Sequence, residues 1–324
     1  MSEIRIGISG WTYPPWRGTF FPKDLAQRLE LGYASKQVSS IEINGTFYSL
    51  QTPRSYGTWA DQTPGNFLFS VKGPRFITHI LRLKEPEIPL ANFFASGVLR
   101  LGRKLGPILW QLPPSLRFDA ATLETFFKLL PRDTAAAAKL ATKHNDKVKE
   151  TWLERGPLQP LRHALEVRHE TFERPEFVAL LRKYQVALVV ADTAGKWPFM
   201  EDITSDFIYV RLHGDEELYV SGYTSDALDE WRRKVSAWSR GKNPSGTQLV
   251  APAAPATTGR DVYVYFDNDV KIRAPFDAMT LAYRLKLGPK PDEPPPIETI
   301  QEVARTSWPS YPSTKRKPRS LNKR

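Results

Sequence analysis

Four pairs of polar residues with i, i+2 spacing end apolar stretches of the sequence. The pairs are Glu42/Asn44, Ser70/Lys72, Glu166/Arg168 and Arg211/His213. In an extended strand alternate side chains point to the same face, so each pair would direct its two polar groups one way. Carboxylates and imidazoles in such positions can exchange protons with a substrate, and basic groups can bind negative charge. The pattern indicates a reactive or binding site built from the ends of several strands.

Each side chain of this set suggests a role through its chemistry. Carboxylates and imidazoles act as general acids and bases when their surroundings separate their pKa values, so we assign catalysis to Glu42, Glu166, Asp192 and His213. Basic and amide groups can bind a charged or hydroxylated substrate, and aromatic rings can stack on a sugar or a base. The predicted substrate-binding residues are Trp11, Tyr13, Trp16, Asn44, Tyr48, Lys72, Gln111, Arg168, Arg211 and Asn268.

A divalent metal ion is an alternative use of the same side chains. The candidate ligands, on consecutive candidate strands, are Glu166, Asp192, His213 and Asp267. Oxygen and nitrogen ligands of this kind hold metals in barrel isomerases and phosphodiesterases. Arg168 and Arg211 lie two residues from two of these candidates, where they could form ion pairs instead. We predict no cofactor and keep the metal ion as an open alternative; no motif for binding ATP or NAD is present.

The same charges could also be purely structural. Acids and bases that are buried together are tolerated only when they neutralise one another. The acids in question are Glu42, Glu166 and Asp192, and the bases are Lys72, Arg168 and Arg211. Ion pairs between them would hold strand ends together without any ligand, so this interpretation stays open beside the functional one.

The elements that must position these residues alternate along the chain. Eight runs are predicted as strands: Ile4–Ser9, Ser40–Asn44, Phe67–Lys72, Ile108–Leu112, Ala164–Arg168, Val186–Asp192, Phe207–His213 and Val262–Asn268. Segments with helical spacing lie between them, and one follows the last strand. Alternating strands and helices imply parallel β-α units with right-handed crossovers, and eight units favour a TIM-like (β/α)8 barrel. The link from Thr193 to Asp206 contains Gly195 and Pro198, so we expect its helix to be reduced or missing.

The barrel is predicted to span residues 1–288. Within it, residues 132–159 are polar and rich in alanine and are predicted as a helical insertion. Residues 242–259 consist largely of small residues and proline and are predicted as a mobile loop. Residues 289–324 are first rich in proline and then basic, and we predict a disordered tail.

Composition narrows the classes of function. The 324 residues contain no cysteine, which excludes disulfides, thiol nucleophiles and zinc–thiolate sites. No run of eighteen apolar residues occurs, so we expect no membrane association and a cytoplasmic protein, with the nucleus as an alternative through the basic tail. A formal net charge of +11 favours anionic partners, either phosphorylated metabolites or nucleic acid. The sequence assigns no oligomeric state.

Seven motifs in order resemble those of the domain-of-unknown-function 72 family, the YecE-like proteins. They are GISGWTYPPW at 7–16, EINGTFY at 42–48, QLPP at 111–114, EVRH at 166–169, AD at 191–192, YVRLHG at 209–214 and YFDN at 265–268. The resemblance runs from the first strand to about Leu287 and implies a TIM-like barrel with no established activity. Asp267 stands where the family usually has Asn, and the basic tail lies outside the family domain.

Two functions follow as expectations. The first is an enzyme that binds an anionic or sugar-containing small molecule at the mouth of the barrel and catalyses hydrolysis of a phosphoester or sugar, or an isomerisation. The second is a nucleic-acid-binding protein, either non-catalytic or nuclease-like, that uses the basic surface for phosphates and the aromatic residues for stacking.

Overall fold

Eight parallel strands close into a barrel in the order in which they follow along the chain. The computed structural model describes residues 2–214, 222–268 and 272–292. The strands are β1 Ile4–Ser9, β2 Ser40–Ile43, β3 Leu68–Lys72, β4 Leu105–Gln111, β5 His163–Glu166, β6 Ala187–Asp192, β7 Phe207–Leu212 and β8 Asp261–Phe266. Strand β1 pairs with both β2 and β8, which closes the barrel and confirms the predicted fold.

Helices surround the barrel and follow most strands. Among the described residues they are α1 Glu30–Gln37, α2 Gly45–Tyr48, α3 Pro53–Asp61, α4 Glu87–Ala95, α5 Ala120–Leu129, α6 Thr134–Ala141, α7 Pro175–Lys183, α8 Ser225–Ser239 and α9 Arg273–Arg284. Residues 193–206, all of which are described, contain no helix, as predicted. Ala194 and Gly195 have positive φ angles of 50° and 72°, which a right-handed helix does not accommodate.

Strand alternation divides the apolar residues into two cores. Isoleucine, valine and leucine on one face of each strand pack outward under the helices. The inward face fills the barrel with Leu109, Ala164, Ala187, Val189, Ala191, Phe207, Tyr209, Tyr263 and Tyr265. Alanines on β5 and β6 share this interior with aromatic rings on β7 and β8, so small and large side chains together fill the limited space. Below its mouth the barrel is therefore a packed core.

The two segments predicted as additions to the barrel are both held by hydrogen bonds. In residues 132–159, α6 is followed by irregular chain, and Asn145 exchanges two hydrogen bonds of 3.0 Å with Asn92 of α4. In residues 242–259, the backbone NH groups of Val250 and Ala251 donate to Asp202 in the β6–β7 link, each at 3.0 Å. The predicted disordered tail lies outside the described residues from position 293 onward.

Within the described ranges, none of the helices is both long enough and apolar enough to span a membrane.

Strands β1 and β2 of the barrel approach each other very closely at Gly7. Gly7 on β1 pairs with Ser40 on β2, and a Cβ atom added to Gly7 would lie 1.9 Å from the carbonyl oxygen of Ser40. Backbone atoms on both sides leave no side chain that could move aside. A glycine is thus required at this position by packing.

We predict that Gly7→Ala lowers the free energy of unfolding by about 1–3 kcal/mol, because the added methyl group forces β1 away from β2. Urea unfolding monitored by tryptophan fluorescence measures the change. Gly65→Ala is the matched control, since a Cβ atom at Gly65 would have no heavy atom within 4 Å. Equal stability of the two variants would contradict the proposed packing constraint.

Candidate functional site

The barrel mouth, meaning the carboxyl ends of the strands and the residues directly after them, is organised around Arg211 of β7. Its fully buried guanidinium contacts both oxygens of Glu42 on β2, with Nη2 2.8 Å from Oε1 and Nε 3.1 Å from Oε2. Nη1 donates to Oε2 of Glu166 on β5 at 2.6 Å, and Nη2 donates to Oδ2 of Asp267, just after β8, at 2.6 Å. We call these four residues the Arg211 cluster.

Hydroxyl groups complete the hydrogen bonding beneath the Arg211 cluster. The phenol of Tyr209 donates to Glu42 Oε2 at 2.6 Å and lies 2.6 Å from Ser70 Oγ, while Ser9 Oγ donates to Glu42 Oε1 at 3.1 Å. Burial, with the charge of Glu42 in addition, raises the pKa of Tyr209 well above its ordinary value. Tyr209 is therefore a protonated donor, and Glu42 is fully hydrogen-bonded although it is buried.

Two carboxylates of the cluster are held in the ionised form. Burial alone would raise the pKa of Glu166, but the positive charges of Arg168 and Arg211 outweigh it and hold this pKa well below the ordinary range. Arg168 Nε also donates directly to Glu166 Oε1 at 2.7 Å. For Asp267 the charge of Arg211, followed by His213, likewise outweighs burial and lowers the pKa. At neutral pH both groups are therefore ionised and carry no proton to donate.

His213 lies beside the Arg211 cluster and is uncharged at neutral pH. Its Nδ1 atom is 3.0 Å from Asp267 Oδ2, and its Nε2 atom is 3.4 Å from Arg211 Nη1. Burial lowers the pKa of His213, and the neighbouring charge of Arg211 lowers it further. An uncharged imidazole can serve as a general base.

Lys72 is the last residue of β3, and its ammonium forms no ion pair with the carboxylates of the Arg211 cluster. Its side chain is 8% exposed, and its ammonium lies 4.4 Å from the centre of the Phe47 ring. Within the described part of the chain it forms no ion pair or hydrogen bond through this ammonium. Burial, followed by repulsion from Arg211, lowers the pKa of Lys72 to about 8. A substantial fraction of its amine is consequently uncharged near neutral pH.

Further positive charge surrounds His79 at the edge of the mouth. Burial, followed by the charges of Lys72, Arg168 and Arg75, lowers the pKa of His79 to about 4. The guanidinium of Arg168 lies 3.8 Å from the centre of the Trp197 ring, and the side chain of Arg75 is exposed. We call Lys72, Arg75 and Arg168 the cationic rim.

The structure brings three of the four predicted catalytic residues together at Arg211, and a different acid lies there in place of the fourth. Glu42, Glu166 and His213 all lie against Arg211, as their strand positions predict. Asp192 does not join them, because its Oδ2 atom accepts a hydrogen bond of 3.0 Å from the Tyr223 phenol. Asp267 takes the place among the carboxylates around Arg211 that we expected for Asp192. Period-two alternation separates the two acids, because Asp192 is out of phase with the inward-facing Ala191, whereas Asp267 is in phase with the inward-facing Tyr265.

Several predicted binding residues contact other parts of the protein in this structure. Trp16 is fully buried against Phe20 and Phe21, so its ring is already packed by aromatic neighbours, and its role in substrate binding stays a prediction. Asn268 is also fully buried, and its amide donates to Asp277 Oδ2 of α9 at 3.1 Å. Asn44 has a helical backbone because β2 has already ended, so the expectation that it shares a face with Glu42 loses its basis.

The remaining predicted binding residues lie at varied positions. Gln111 is nearly buried and pairs in register with Glu166, which places it beside the cluster. The Tyr13 phenol donates to the carbonyl of Ser9 at 2.7 Å, and Trp11 packs edge-on against Trp59. Tyr48 is 71% exposed and packs edge-on against Phe47.

Sequence reasoning missed several residues that shape the site. Tyr209 lies two positions before Arg211, and Tyr265 two before Asp267, so alternation along the same strands could have identified both. Trp197 and Arg75 are in loops, where no periodic pattern exists to indicate their direction. Asp277 lies in α9, where burial raises its pKa to about 6, and it accepts a hydrogen bond from the backbone of Tyr223.

In the described part of the chain, no group of three or more His, Asp or Glu side chains is arranged to hold a metal ion. Three of the four predicted ligands, Glu166, His213 and Asp267, lie within 3.4 Å of the Arg211 guanidinium. A divalent ion could reach these atoms only by displacing that guanidinium.

Comparison with known proteins places the chain among uncharacterised barrels. A family model described as "Protein of unknown function DUF72" matches residues 5–299. UPF0759 protein YunF of Bacillus subtilis (strain 168) and UPF0759 protein YecE of Escherichia coli (strain K12) are each 28% identical to 34% of this chain. These matches span only 40% and 38% of the two relatives.

A solved structure of a DUF72 family protein from Thermotoga maritima MSB8 has the same fold. It superposes with a TM-score of 0.68, covers 88% of this chain and 99% of its own, and is 24% identical in sequence. This likeness confirms the barrel.

We predict that Arg211→Met lowers the free energy of unfolding at pH 7 by about 3–5 kcal/mol, because Glu42 and Asp267 lose the guanidinium that neutralises them and Glu166 is left with Arg168. The loss should become smaller as the pH falls toward 4. In the wild type, the lowered pKa values of Glu166 and Asp267 give stability that is present above the unfolded pKa values and is lost below them. In the variant, these carboxylates can become protonated on acidification. Urea unfolding at pH 7 and pH 4.5 measures both effects.

Arg232→Met is the matched control, since Arg232 forms an exposed ion pair with Asp229 and should contribute less than about 1 kcal/mol. A similar small loss in both variants, or a loss for Arg211→Met that does not depend on pH, would contradict the central role of Arg211.

We predict that Lys72→Met raises the free energy of unfolding by about 1–3 kcal/mol at pH 7, because it removes a buried charge. The folded pKa of Lys72, about 8, lies below its ordinary value of 10.5, so the cost of burying the ammonium is fully present below pH 8. This cost disappears as the pH rises from 8 to 10.5, and the gain in stability should disappear with it. Urea unfolding between pH 7 and pH 10 measures this dependence.

Lys128→Met, at an exposed position on α5, is the control and should change stability by no more than about 0.5 kcal/mol. Destabilisation by Lys72→Met would mean that Lys72 is a structural residue of the mouth.

Proposed function

The chain belongs to the DUF72 family of proteins of unknown function, and from that premise we propose that its barrel mouth is an enzyme site for an anionic, sugar-containing small molecule. In parallel barrels the carboxyl ends of the strands carry the active site, because loops from every strand meet there. Among the described residues, the mouth of this chain holds a group of buried charges that meet at Arg211. The proposal concerns the chemistry of that group.

The observation that carries the proposal is the arrangement of the cationic rim over the Arg211 cluster. Glu42, Glu166 and Asp267 are all engaged by Arg211, so within the described residues they do not pair with Lys72. An anionic substrate would supply the counter-charge that Lys72 lacks. Arg75, which is exposed, extends the positive charge toward solvent, where a phosphate or carboxylate would first be attracted.

Aromatic rings next to the rim suit a sugar. Phe47 lies under the Lys72 ammonium, Tyr48 is exposed beside Phe47, and Trp197 stacks with Arg168. Rings of this kind contact the apolar CH face of a sugar, while neighbouring polar groups bind its hydroxyls. Charge and stacking together favour a phosphorylated sugar.

The protonation states favour isomerisation over glycoside hydrolysis. Hydrolysis by a carboxylate pair requires one carboxylic acid that is protonated at neutral pH, and Glu166 and Asp267 are held ionised. Lys72 and His213 have lowered pKa values and can act as bases. Isomerisation needs a base that abstracts a proton next to a carbonyl, and positive side chains that stabilise the resulting enediolate. The site holds its groups in the protonation states that this reaction requires.

Exchange of a substrate proton for solvent deuterium tests this proposal. We expect ribose 5-phosphate or glucose 6-phosphate to raise the midpoint of thermal unfolding, and proton NMR in D₂O to show exchange at carbon 2. Lys72→Met and His213→Asn should each reduce this exchange at least about tenfold, since each removes a base. Arg232→Met should leave both measurements unchanged. Absence of binding to every phosphorylated sugar tested would overturn the proposal.

Nucleic-acid binding is the competing outcome of the same experiments. A single-stranded oligonucleotide that binds at low salt, and whose binding survives deletion of residues 315–324 but not Lys72→Met, would identify the mouth as a nucleic-acid site. Binding that is lost on the deletion alone would assign it to the basic tail. The cytoplasmic location expected from the sequence stays part of the proposed function.

A further inference from the structure

Lys72 has the surroundings of a reactive amine. Its position at the end of β3 is fixed from both sides, because Thr46 Oγ1 donates to its backbone carbonyl at 2.6 Å and β3 pairs with β2 and β4. The side chain then crosses the Phe47 ring, and only a small part of it is exposed at the mouth. A lysine that merely binds anions at a surface needs neither a fixed backbone nor an apolar neighbour.

Burial is the main reason why the pKa of the Lys72 amine is lowered, and repulsion from Arg211 lowers it further. The acids Glu42, Asp267 and Glu166 oppose this shift without contacting the ammonium, because each is engaged by Arg211. A guanidinium binds carboxylates with several directed donors, so it competes for them better than an ammonium does. Arg75 and Arg168 carry positive charge for an anionic group and leave Lys72 free for chemistry.

We propose that the amine of Lys72 is a nucleophile that forms a covalent imine with the carbonyl carbon of a phosphorylated aldose or ketose. This inference rests on the proposed function and deepens it, because it names the reacting group of the substrate and the atom that attacks it. Lysines activated by desolvation and by a neighbouring cation form such bonds with carbonyl compounds.

The step balances without any further reactant. The lone pair of the uncharged amine attacks the carbonyl carbon, and a proton passes from the nitrogen to the carbonyl oxygen, which becomes the hydroxyl of a carbinolamine. That hydroxyl takes up a second proton from solvent and leaves as water, so one C=N bond replaces one C=O bond and nothing is oxidised or reduced. The protonated imine withdraws electrons from the adjacent carbon, which allows a base such as uncharged His213 to accept a proton from it. Hydrolysis of the imine returns the amine.

Reductive trapping tests the inference on the full chain. The protein is incubated with dihydroxyacetone phosphate and sodium borohydride, digested, and analysed by mass spectrometry. Borohydride reduces an imine to a stable secondary amine, so we expect an adduct on Lys72 at pH 7. Its yield should exceed that on the exposed Lys128 and Lys183 of the same sample by about tenfold or more, because the lower pKa of Lys72 leaves far more uncharged amine.

Trapping with unphosphorylated dihydroxyacetone separates recognition of the phosphate from formation of the imine. Weaker trapping of this ketone would support recognition of the phosphate by the rim, and equal trapping would overturn that recognition. Lys72→Arg should lose the adduct and leave labelling of Lys128 and Lys183 unchanged. A yield on Lys72 no higher than on those lysines would overturn the imine. If the imine were overturned in this way, and Lys72→Met still abolished the thermal shift with ribose 5-phosphate, the proposed function would stand without the imine.

Discussion

One guanidinium holds the mouth of the barrel together. Arg211 extends from β7 and contacts carboxylates of β2, β5 and the residue after β8, so strands that are far apart in sequence are joined through a single side chain. Its planar donors fit two oxygens of one carboxylate and leave further NH groups for two others. Because Tyr209 and Ser9 hold Glu42 from below and from the side, the position of each charged atom is fixed. The rest of the site is built on this arrangement.

The properties of the other cations follow from the same arrangement. Arg211 has engaged the three carboxylates of the cluster, and Arg168 also contacts Glu166. The ammonium of Lys72 lies against the Phe47 ring and contacts no acid of the cluster, and burial is the largest influence on its pKa. Below the cluster the barrel is filled by apolar and phenolic side chains, so a ligand could not approach these groups through the barrel interior.

The sequence predicts the barrel and much of the cluster because both depend on period-two alternation. Apolar residues at alternate positions identify the strands, and polar residues in register with them identify Glu42, Lys72, Glu166 and Arg211. The approach fails where the strand has ended. Asn44 already has a helical backbone, and loop residues such as Trp197 follow no period.

The phase of the alternation is a second source of error. Asp192 is out of phase with the inward-facing Ala191 on β6, whereas Asp267 is in phase with the inward-facing Tyr265 on β8, so Arg211 contacts Asp267 and a tyrosine contacts Asp192. Trp16 illustrates a related difficulty. Its position in a loop after β1 suggested exposure, but Phe20 and Phe21 fold back over it.

The charges of the mouth are better explained by function than by stability. Replacing a buried set of ion pairs with well-packed apolar residues is often neutral or stabilising, and the interior just below shows that this chain packs such residues well. The pKa shifts also share a direction. Burial and neighbouring cations lower the pKa values of Lys72 and His213, and cations hold Glu166 and Asp267 ionised, so all four pKa values lie below their ordinary values. A structural cluster needs only neutrality, and it does not require a buried lysine without a contacting acid. This excess of positive charge is the reason why we propose that the mouth binds an anionic substrate.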